Sequence, residues 1–230
     1  MCLIALSVEK SKDWSGKDSY FYKIIANRDE YHERPTSGMK WWSNNIVLAG
    51  RDEEAGGTWL GVSKEGKFGA ITNLKEETDI KYSNSRGSLV TEFLESQISA
   101  KSYLEALEPN KDNYAGFNLI VGDKSGLFYL CNRLEGIFFI SEGIHALGNL
   151  TLNSSTKKIE SIKNDFNQIL HEGFAIDKGL HIMRKEYGNL HEKTKKELQV
   201  RDGEEIPFRF IRSPISVSYT HLRAHETRGN

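Results

Sequence analysis

A cysteine occupies the second position of the chain, directly before the apolar run Leu3–Val8. Because the Cys side chain is small, we expect Met1 to be removed, which leaves Cys2 with a free α-amine beside its own thiol. An α-amine has a pKa of about 7.7–8.0, so it is partly neutral in the cell and can accept a proton. One residue then supplies both the nucleophile and the base, as N-terminal Thr nucleophiles do.

The alternative role for Cys2 is structural. Free cysteine behaves as a small apolar side chain and is among the residue types most often buried. The run that follows it is apolar without a clear alternation, and it therefore predicts a strand that does not face water on one side. Position alone favours a buried structural thiol in an edge strand over a catalytic one.

Polar side chains follow three of the predicted strands. Arg28 and Asp29 come directly after the aromatic and β-branched stretch 20–26. They can form a charge-assisted pair in the mouth of a sheet, although an ordinary turn with solvated charges is the commoner case. Asn73 ends the predicted strand 68–73, and Asn149 ends a short strand over 144–149. A carboxamide at such a strand end can reach a cleft.

Strands and helices occur in blocks rather than in strict alternation. Helical spacing of apolar residues predicts a helix over 89–98 with Ser88 as its cap, and a short one at 103–107 that Pro109 stops. Two more are predicted over 157–170, capped by Ser154 or Ser155, and over 175–187. The charged stretch 193–205 predicts a loop and 206–211 a last strand. This order predicts an α+β protein with antiparallel sheets and helices packed outside them.

The composition excludes several classes of function. The chain has 230 residues with 31 basic and 32 acidic side chains, a net charge of −1, which gives no indication of nucleic acid or an acidic membrane surface as partner. Two cysteines are too few for a disulfide framework and favour a reducing compartment. No signal peptide is visible, and no apolar run reaches the ~18 residues that a membrane helix needs. We therefore predict a cytoplasmic protein without a membrane span.

No metal site is expected. The histidines at 145, 171, 181 and 191 do not fall at the i, i+4 spacing of a helix-borne site, and no Cys-x-x-Cys motif occurs. The prediction is therefore that the protein has no metal and no resident cofactor.

The last residues form a separate case. Residues 217–230 show no apolar periodicity and resemble the translated adapter tail that ends many assembled reading frames. We expect native sequence to stop near residues 213–216, with one C-terminally truncated domain over 1–214 and a non-native or disordered tail over 215–230.

Several short motifs occur in the order typical of one family. The most specific is Gly56-Gly57-Thr58-Trp59-Leu60-Gly61. The others are Met1-Cys2 before a strand, Ala26-Asn27-Arg28-Asp29-Glu30, Arg34-Pro35, Gly50-Arg51-Asp52, Thr72-Asn73, Ser85-Arg86-Gly87, Gly116-Phe117-Asn118-Leu119 and Gly148-Asn149. This ordered set, over residues 1–214, resembles the NRDE family, which is the family of transport and Golgi organisation protein 2.

The resemblance implies a four-layer αββα sandwich of antiparallel sheets, of the N-terminal-nucleophile hydrolase type, here without its C-terminal strand or strands. In the related choloylglycine and penicillin V acylases, an N-terminal Cys attacks an amide. Carried over, Cys2 is the nucleophile, and Arg28 and Asp29 position it and stabilise its charge. Asn73 and Asn149 are the candidates for binding the oxyanion and the amine. The acylases separate their Arg and Asp, whereas Arg28 and Asp29 are adjacent, and their late-strand Arg has no counterpart here.

Three functions remain open at this point. The first is an amidohydrolase-like enzyme that acts on a linear C–N amide bond. Members of the family have also been linked to haem trafficking and to lipid or Golgi homeostasis. The second function is therefore a non-catalytic carrier of haem or another amphipathic small molecule, with Trp41, Trp42 and Trp59 beside the thiol as its apolar pocket. The third is an inherited fold used as an interaction surface. The predicted partner is a small molecule, as substrate or as ligand.

Overall fold

The computed structural model describes residues 2–12, 15–16, 18–28, 34–74, 82, 84–184 and 215–219, with residues 184 and 215–219 described by their backbone. In chain order these residues form β1 (Leu3–Lys12), β2 (Asp18–Asn27), β3 (Thr36–Trp41), β4 (Val47–Asp52), β5 (Leu60–Ser63), β6 (Phe68–Asn73), α1 (Arg86–Glu95), α2 (Ala100–Leu107), a 3-10 helix (Glu108–Asn113), β7 (Phe117–Asp123), β8 (Gly126–Cys131), β9 (Phe138–Ile140), β10 (Gly143–Leu147), α3 (Lys157–His171), α4 (Ile176–Arg184) and β11 (Ile215–Tyr219).

The strands form two sheets in which every paired neighbour is antiparallel. The seven-stranded sheet runs β3-β4-β5-β6-β7-β8-β9, so neighbours in space are also neighbours in sequence. The four-stranded sheet has the order β10-β1-β2-β11. Strand β10 therefore returns from far along the chain to pair with β1, and this return decides which residues meet at the end of β1.

Three apolar cores separate four layers. The inner core lies between the two sheets and includes Ile4 and Leu6 of one sheet with Leu60 and Ile120 of the other. The outer core packs α1 and α2 on the far face of the seven-stranded sheet. The third core packs α3 and α4 on the far face of the four-stranded sheet. The protein is an αββα sandwich, and the predicted α+β class is confirmed.

The first six residues of strand β1 are buried on both faces because they lie between two of these cores, whereas its last four are exposed. Leu3 and Ala5 belong to the third core, whereas Ile4 and Leu6 belong to the inner core. Apolar residues are needed on both sides, which explains the missing alternation in the sequence. The strand is central, between β10 and β2, so the expectation of an edge strand is wrong.

Gly57 explains how the most specific sequence block meets the start of α1. A Cβ added at Gly57 would lie 2.6 Å from the carbonyl carbon of Gly87, closer than side-chain atoms approach backbone. The Thr58 N–H donates to the Gly87 carbonyl at 3.4 Å. The block therefore needs glycine at this point because two backbone segments pass each other directly.

The helices occur where predicted, with different ends. Helix α1 follows Ser85 as its N-cap rather than Ser88, and α3 follows Thr156, whose hydroxyl accepts from the Ile159 N–H at 3.3 Å. An N-cap has extended backbone immediately before the first helical residue, and these two residues meet that condition. Helix α2 ends at Leu107, before Pro109 as predicted, and Pro109 lies in the first turn of the 3-10 helix that follows. None of the helices within the described residues combines the length and apolar character that crossing a bilayer requires.

Only residues 215–219 of the C-terminal region are described by the structure. Residues 215–219 form β11, which pairs antiparallel with β2, Ile215 facing Ala26. These five residues pair with the edge of β2, which offers unpaired N–H and C=O groups. The prediction of a non-native or disordered tail over 215–230 stays a prediction. The predicted loop 193–205, the predicted strand 206–211 and the rest of the tail lie outside the described residues, and the domain boundary at 214 stays a prediction.

Candidate functional site

Cys2 lies at the end of the four-stranded sheet, between two neighbouring segments. Leu3 pairs with Asn27, so Arg28 follows on one side of Cys2. On the other side Ile4 pairs with Leu147, so the chain continues past Cys2 into Gly148 and Asn149. A Cβ added at Gly148 would lie 3.9 Å from the Cys2 carbonyl oxygen. Cys2 itself is half-buried. The register thus brings three of the predicted site residues to one sheet end.

Asn149 connects this end to the seven-stranded sheet. Its Nδ2 donates to the backbone carbonyl of Asn73 at 2.7 Å. Its Oδ1 is buried and has no hydrogen-bond partner among the described residues. A buried acceptor without a donor is rare, because an unmade hydrogen bond costs about 1–3 kcal/mol. The Asn73 side chain is exposed, so Asn73 joins Asn149 through its backbone.

Arg28 pairs with Asp52, a carboxylate that was not predicted as a site residue. Its guanidinium lies 3.1 Å from Asp52 Oδ2, and Arg34 Nε lies 2.7 Å from the same oxygen. The Arg28 and Asp52 side chains are each 14% exposed. Asp29 lies outside the described residues, so its contact with Arg28 stays a prediction. Asp52 was missed as a site residue, although the block Gly50-Arg51-Asp52 had already drawn attention to it.

Asp52 holds its position through both carboxylate oxygens. Oδ1 accepts from the N–H groups of Glu54 and Ala55, at 3.1 and 3.0 Å, while Oδ2 faces the two guanidinium groups. Partial burial by itself raises the pKa of the Asp52 carboxyl. The bonds from Ala55 and Arg34 and the charges of Arg34 and Arg28 outweigh it and hold that pKa below its ordinary value. Asp52 is therefore ionised at neutral pH and fixes both arginines after β2 and before β3.

Behind Asn149 lies a buried hydrogen-bond network that the sequence reasoning did not find. It consists of Thr72 on β6, Asn118 on β7 and Tyr129 on β8, all at most 3% exposed. The Thr72 hydroxyl donates to the Gly148 carbonyl at 2.7 Å, and Asn118 Nδ2 donates to the Leu150 carbonyl at 3.1 Å. The only sequence signals were the motifs around residues 72 and 118. The network ties the seven-stranded sheet to the segment that carries Asn149.

The three tryptophans proposed for an apolar ligand pocket have different environments. Trp42 is buried in the outer core, where its indole N–H donates to the Ala49 carbonyl at 3.3 Å. Trp59 is partly buried against both the outer and the inner core, and Trp41 is 45% exposed. The carrier hypothesis stays a prediction.

Within the described part of the chain, no three His, Cys, Asp or Glu side chains are grouped as metal ligands.

Comparison with known proteins assigns the family. The family model described as Transport and Golgi organisation 2 matches residues 1–229. The chain belongs to this family. The Mus musculus Transport and Golgi organization 2 homolog is 34% identical over 188 residues, covering 77% of this chain and 67% of the mouse protein. The Bos taurus homolog is 34% identical over 183 residues, 75% of this chain and 66% of its own length. The matched part spans about two thirds of these relatives.

A solved structure supports the fold of this Transport and Golgi organisation 2 family member. The Caenorhabditis elegans ortholog of N-acylethanolamine-hydrolyzing acid amidase superposes with a TM-score of 0.50 at 11% identity, covering 80% of this chain and 86% of that one. At this identity the likeness shows a common fold and nothing of a common substrate. The fold is that of an N-terminal-nucleophile hydrolase, as the resemblance implied.

Proposed function

We propose that this family member is an N-terminal-cysteine hydrolase that cleaves a linear C–N amide bond, with Cys2 as nucleophile after removal of Met1. The observation that carries the proposal is the position of Asn149, which shares the end of β1 with Cys2 and keeps a buried Oδ1 without a partner. The free α-amine of a processed Cys2 is a suitable donor for that oxygen. The amide hydrolase fold supports the same assignment.

In the proposed reaction the neutral α-amine of Cys2 takes the thiol proton. The thiolate then attacks the amide carbonyl carbon, the C–S bond forms, and the carbonyl electron pair moves onto oxygen. Collapse of the tetrahedral intermediate breaks the C–N bond, and the α-ammonium gives its proton to the leaving amine. Water then hydrolyses the thioester and releases the acid and the thiol.

Two groups have proposed supporting roles. Asn149 Nδ2 carries two N–H groups, and one of them is used by the Asn73 carbonyl. The other can face the oxyanion, where a single such donor is worth about 3 kcal/mol. Arg28 is held by Asp52 close after the strand that neighbours Cys2. A nearby guanidinium stabilises a thiolate, which is the reactive form of cysteine. Asp29 and the Asn73 side chain keep the roles that the resemblance implies.

The first test is chemical processing. Intact-mass analysis of the protein from its native host should give the mass of the chain without Met1. Retention of Met1 on mature protein would leave Cys2 without its α-amine base and would contradict the mechanism.

The second test is turnover. A panel of chromogenic N-acyl anilides of increasing acyl length should include a substrate whose hydrolysis drops by about 10⁴-fold or more in Cys2→Ala. Cys131→Ala is the matched control, because Cys131 is fully buried in the inner core and should keep its activity. If Cys2→Ala hydrolyses every substrate as fast as the wild type, the proposal is wrong, and a carrier of haem or another amphipathic ligand, or an interaction surface, becomes the better account.

A further inference from the structure

We infer that Asn118 is a positioning residue for the candidate site. It holds Asn149 in place by fixing residues 148–153, here called the Asn149 segment. This segment connects β10 to α3 without helix or strand of its own. Its conformation therefore depends on side chains that reach it from elsewhere. The inference rests on the proposed function for the role of Asn149, but the position of the segment can be tested without any substrate.

Asn118 is fully buried and uses both ends of its carboxamide. Nδ2 donates to the Leu150 carbonyl at 3.1 Å and to the Thr72 hydroxyl at 3.2 Å, while Oδ1 accepts from the Tyr129 hydroxyl at 2.7 Å. Both of its N–H groups and its oxygen are thus engaged.

Two hydroxyl groups extend the reach of Asn118 along the segment. The Thr72 hydroxyl, which accepts from Asn118, donates to the Gly148 carbonyl at 2.7 Å. The Tyr129 hydroxyl, which donates to Asn118, accepts from the Leu152 N–H at 3.2 Å. Asn118 therefore controls residues 148, 150 and 152, directly or through one hydroxyl. Asn149 lies between the first two of them, and its neighbours on both sides are held.

The network requires an amide at position 118. The single proton of Thr72 is used on the Gly148 carbonyl, so Thr72 can only accept from residue 118. The Leu150 carbonyl is a second acceptor beside residue 118, so this side chain must donate to both the Thr72 hydroxyl and the Leu150 carbonyl. A carboxylate of the same shape would set oxygen against oxygen at both contacts. Buried polar networks of this kind fix one arrangement when every member is satisfied and are costly when one is not.

Asn132, in the turn directly after β8, provides a matched control. It is 2% exposed and equally engaged: Oδ1 accepts from the Phe117 N–H at 2.7 Å, and Nδ2 donates to the Lys111 and Tyr114 carbonyls at 3.2 and 3.1 Å. Its partners are Lys111 in the 3-10 helix, Tyr114 and Ala115 in the connection that follows it, and Phe117 at the start of β7, and none belongs to the Asn149 segment. Asn132→Asp keeps the oxygen that accepts from the Phe117 N–H and removes only the buried donor to carbonyls within residues 111–115, so no effect on the Asn149 segment is expected.

The experiment compares Asn118→Asp, Thr72→Val and Asn132→Asp with the wild type by two measurements. The first is amide hydrogen exchange of residues 148–153, and the second is the rate of Cys2 alkylation by iodoacetamide, followed by peptide mass. We expect exchange in the Asn149 segment to rise about tenfold in Asn118→Asp and Thr72→Val, and the alkylation rate to change in both. Asn132→Asp should change neither. Thr72→Val removes one hydroxyl at constant shape and keeps the test open if Asn118→Asp does not fold.

The outcomes separate the two proposals. Unchanged exchange in Asn118→Asp and Thr72→Val, or an equal rise in Asn132→Asp, would overturn the positioning role even if Cys2→Ala shows that the protein is a hydrolase. Raised exchange confined to the Asn118 and Thr72 variants would support the positioning role even if no amide is hydrolysed, in which case only the proposed function fails.

Discussion

The two faces of the seven-stranded sheet bury polar groups in different ways. On the outer face, α1 and α2 cover a core of aliphatic and aromatic side chains, and the buried amine of Lys67 lies at its rim. On the inner face, Thr72, Asn118 and Tyr129 lie among apolar residues of the sheet interior. Lys67 bonds to a helix end, whereas Thr72, Asn118 and Tyr129 bond to one another and to the Asn149 segment.

This difference suggests that the outer face mainly stabilises the fold, whereas the inner face also positions the Asn149 segment. The outer face is stabilised mainly by buried apolar area and close packing. A substitution there lowers the free energy of unfolding without redirecting a specific contact. The inner network is directional, so it decides where one segment lies. We therefore expect outer-face substitutions to lower stability with no effect on the reactivity of Cys2, and inner-face substitutions to change both.

The largest expected effect is on the outer face. Phe93 on α1 is fully buried in the outer core and contacts Tyr103, with ring centroids 5.2 Å apart. Phe93→Ala should lower the free energy of unfolding by about 3–5 kcal/mol, because burial is lost and a cavity remains. Urea denaturation measures the loss. Cys2 alkylation at low denaturant should stay at the wild-type rate, and an altered rate would contradict the separation of the two faces.

The second effect concerns Lys67. Its ammonium donates to the carbonyls of Ser96 and Ile98 just beyond the C-terminus of α1, the latter at 2.9 Å, and to the Ser96 hydroxyl at 3.0 Å. Burial lowers the pKa of the Lys67 ammonium. Lys67→Met keeps the apolar stem but leaves these carbonyls without a donor.

We expect Lys67→Met to lose about 1.5–3 kcal/mol of stability, the range for bonds to a charged group. Thermal and urea unfolding test this, with Lys64→Met on the exposed turn as the control. A loss equal to that of the control would mean that the bonds of Lys67 contribute little.

The third effect is on the inner face. Tyr129→Phe removes one hydroxyl and leaves the Asn118 oxygen and the Leu152 N–H without partners. The expected loss is about 1–3 kcal/mol, since a buried group without its bond costs about that much. In contrast to Phe93→Ala, this smaller change should also alter the alkylation rate of Cys2. Equal reactivity in the wild type and Tyr129→Phe would remove the distinction between the faces.

The smallest expected effect is a pH dependence of stability that arises from His145, whose ring contacts Asn153 at the other end of the Asn149 segment. His145 Nδ1 lies 2.9 Å from Asn153 Nδ2, and Nε2 lies 2.9 Å from the Ser141 carbonyl. Burial lowers the pKa of His145, and the charge of Lys163 on α3 adds to this, while the bond to Ser141 opposes it. The neutral ring accepts from Asn153, and protonation at Nδ1 would break that bond.

Because the folded pKa of His145 is lowered, the unfolded chain binds more protons once the pH falls below the ordinary His value of about 6.5. The contribution of His145 to stability is complete above that pH and is lost as the pH falls through the folded pKa. Urea denaturation between about pH 5 and 7.5 should therefore show a steeper loss in the wild type than in His145→Gln, which does not titrate. Parallel curves for the two proteins would contradict this.

Much of the fold could be predicted from local patterns. The continuous apolar run after Cys2 predicted a buried strand, and the spacing around Phe93 and Phe166 predicted two of the helices, because burial on one or both faces leaves its period in the sequence. Helix ends were predicted less well. Ser88, Ser154 and Ser155 were reasonable caps, but the choice among neighbouring hydroxyl residues depends on backbone angles that packing sets.

The sequence suggested a set of candidate site residues but not their contacts. Cys2, Arg28, Asp29, Asn73 and Asn149 were named from their types and from the family pattern, and their roles stay predictions. Asp52, which pairs with Arg28, is 24 positions away along the chain, and the Asn118 network joins three strands to a distant connection. No local spacing encodes such pairs.

The sequence by itself determined which segments are apolar on two faces, which on one, and where polar side chains end a strand, because these properties depend on each residue and its near neighbours. Only the tertiary structure decided that β10 returns to lie beside β1, so that Asn149 meets the end that carries Cys2. That choice belongs to the pairing of sheets and the packing of three cores, where contacts between distant residues compete and only their sum selects one register.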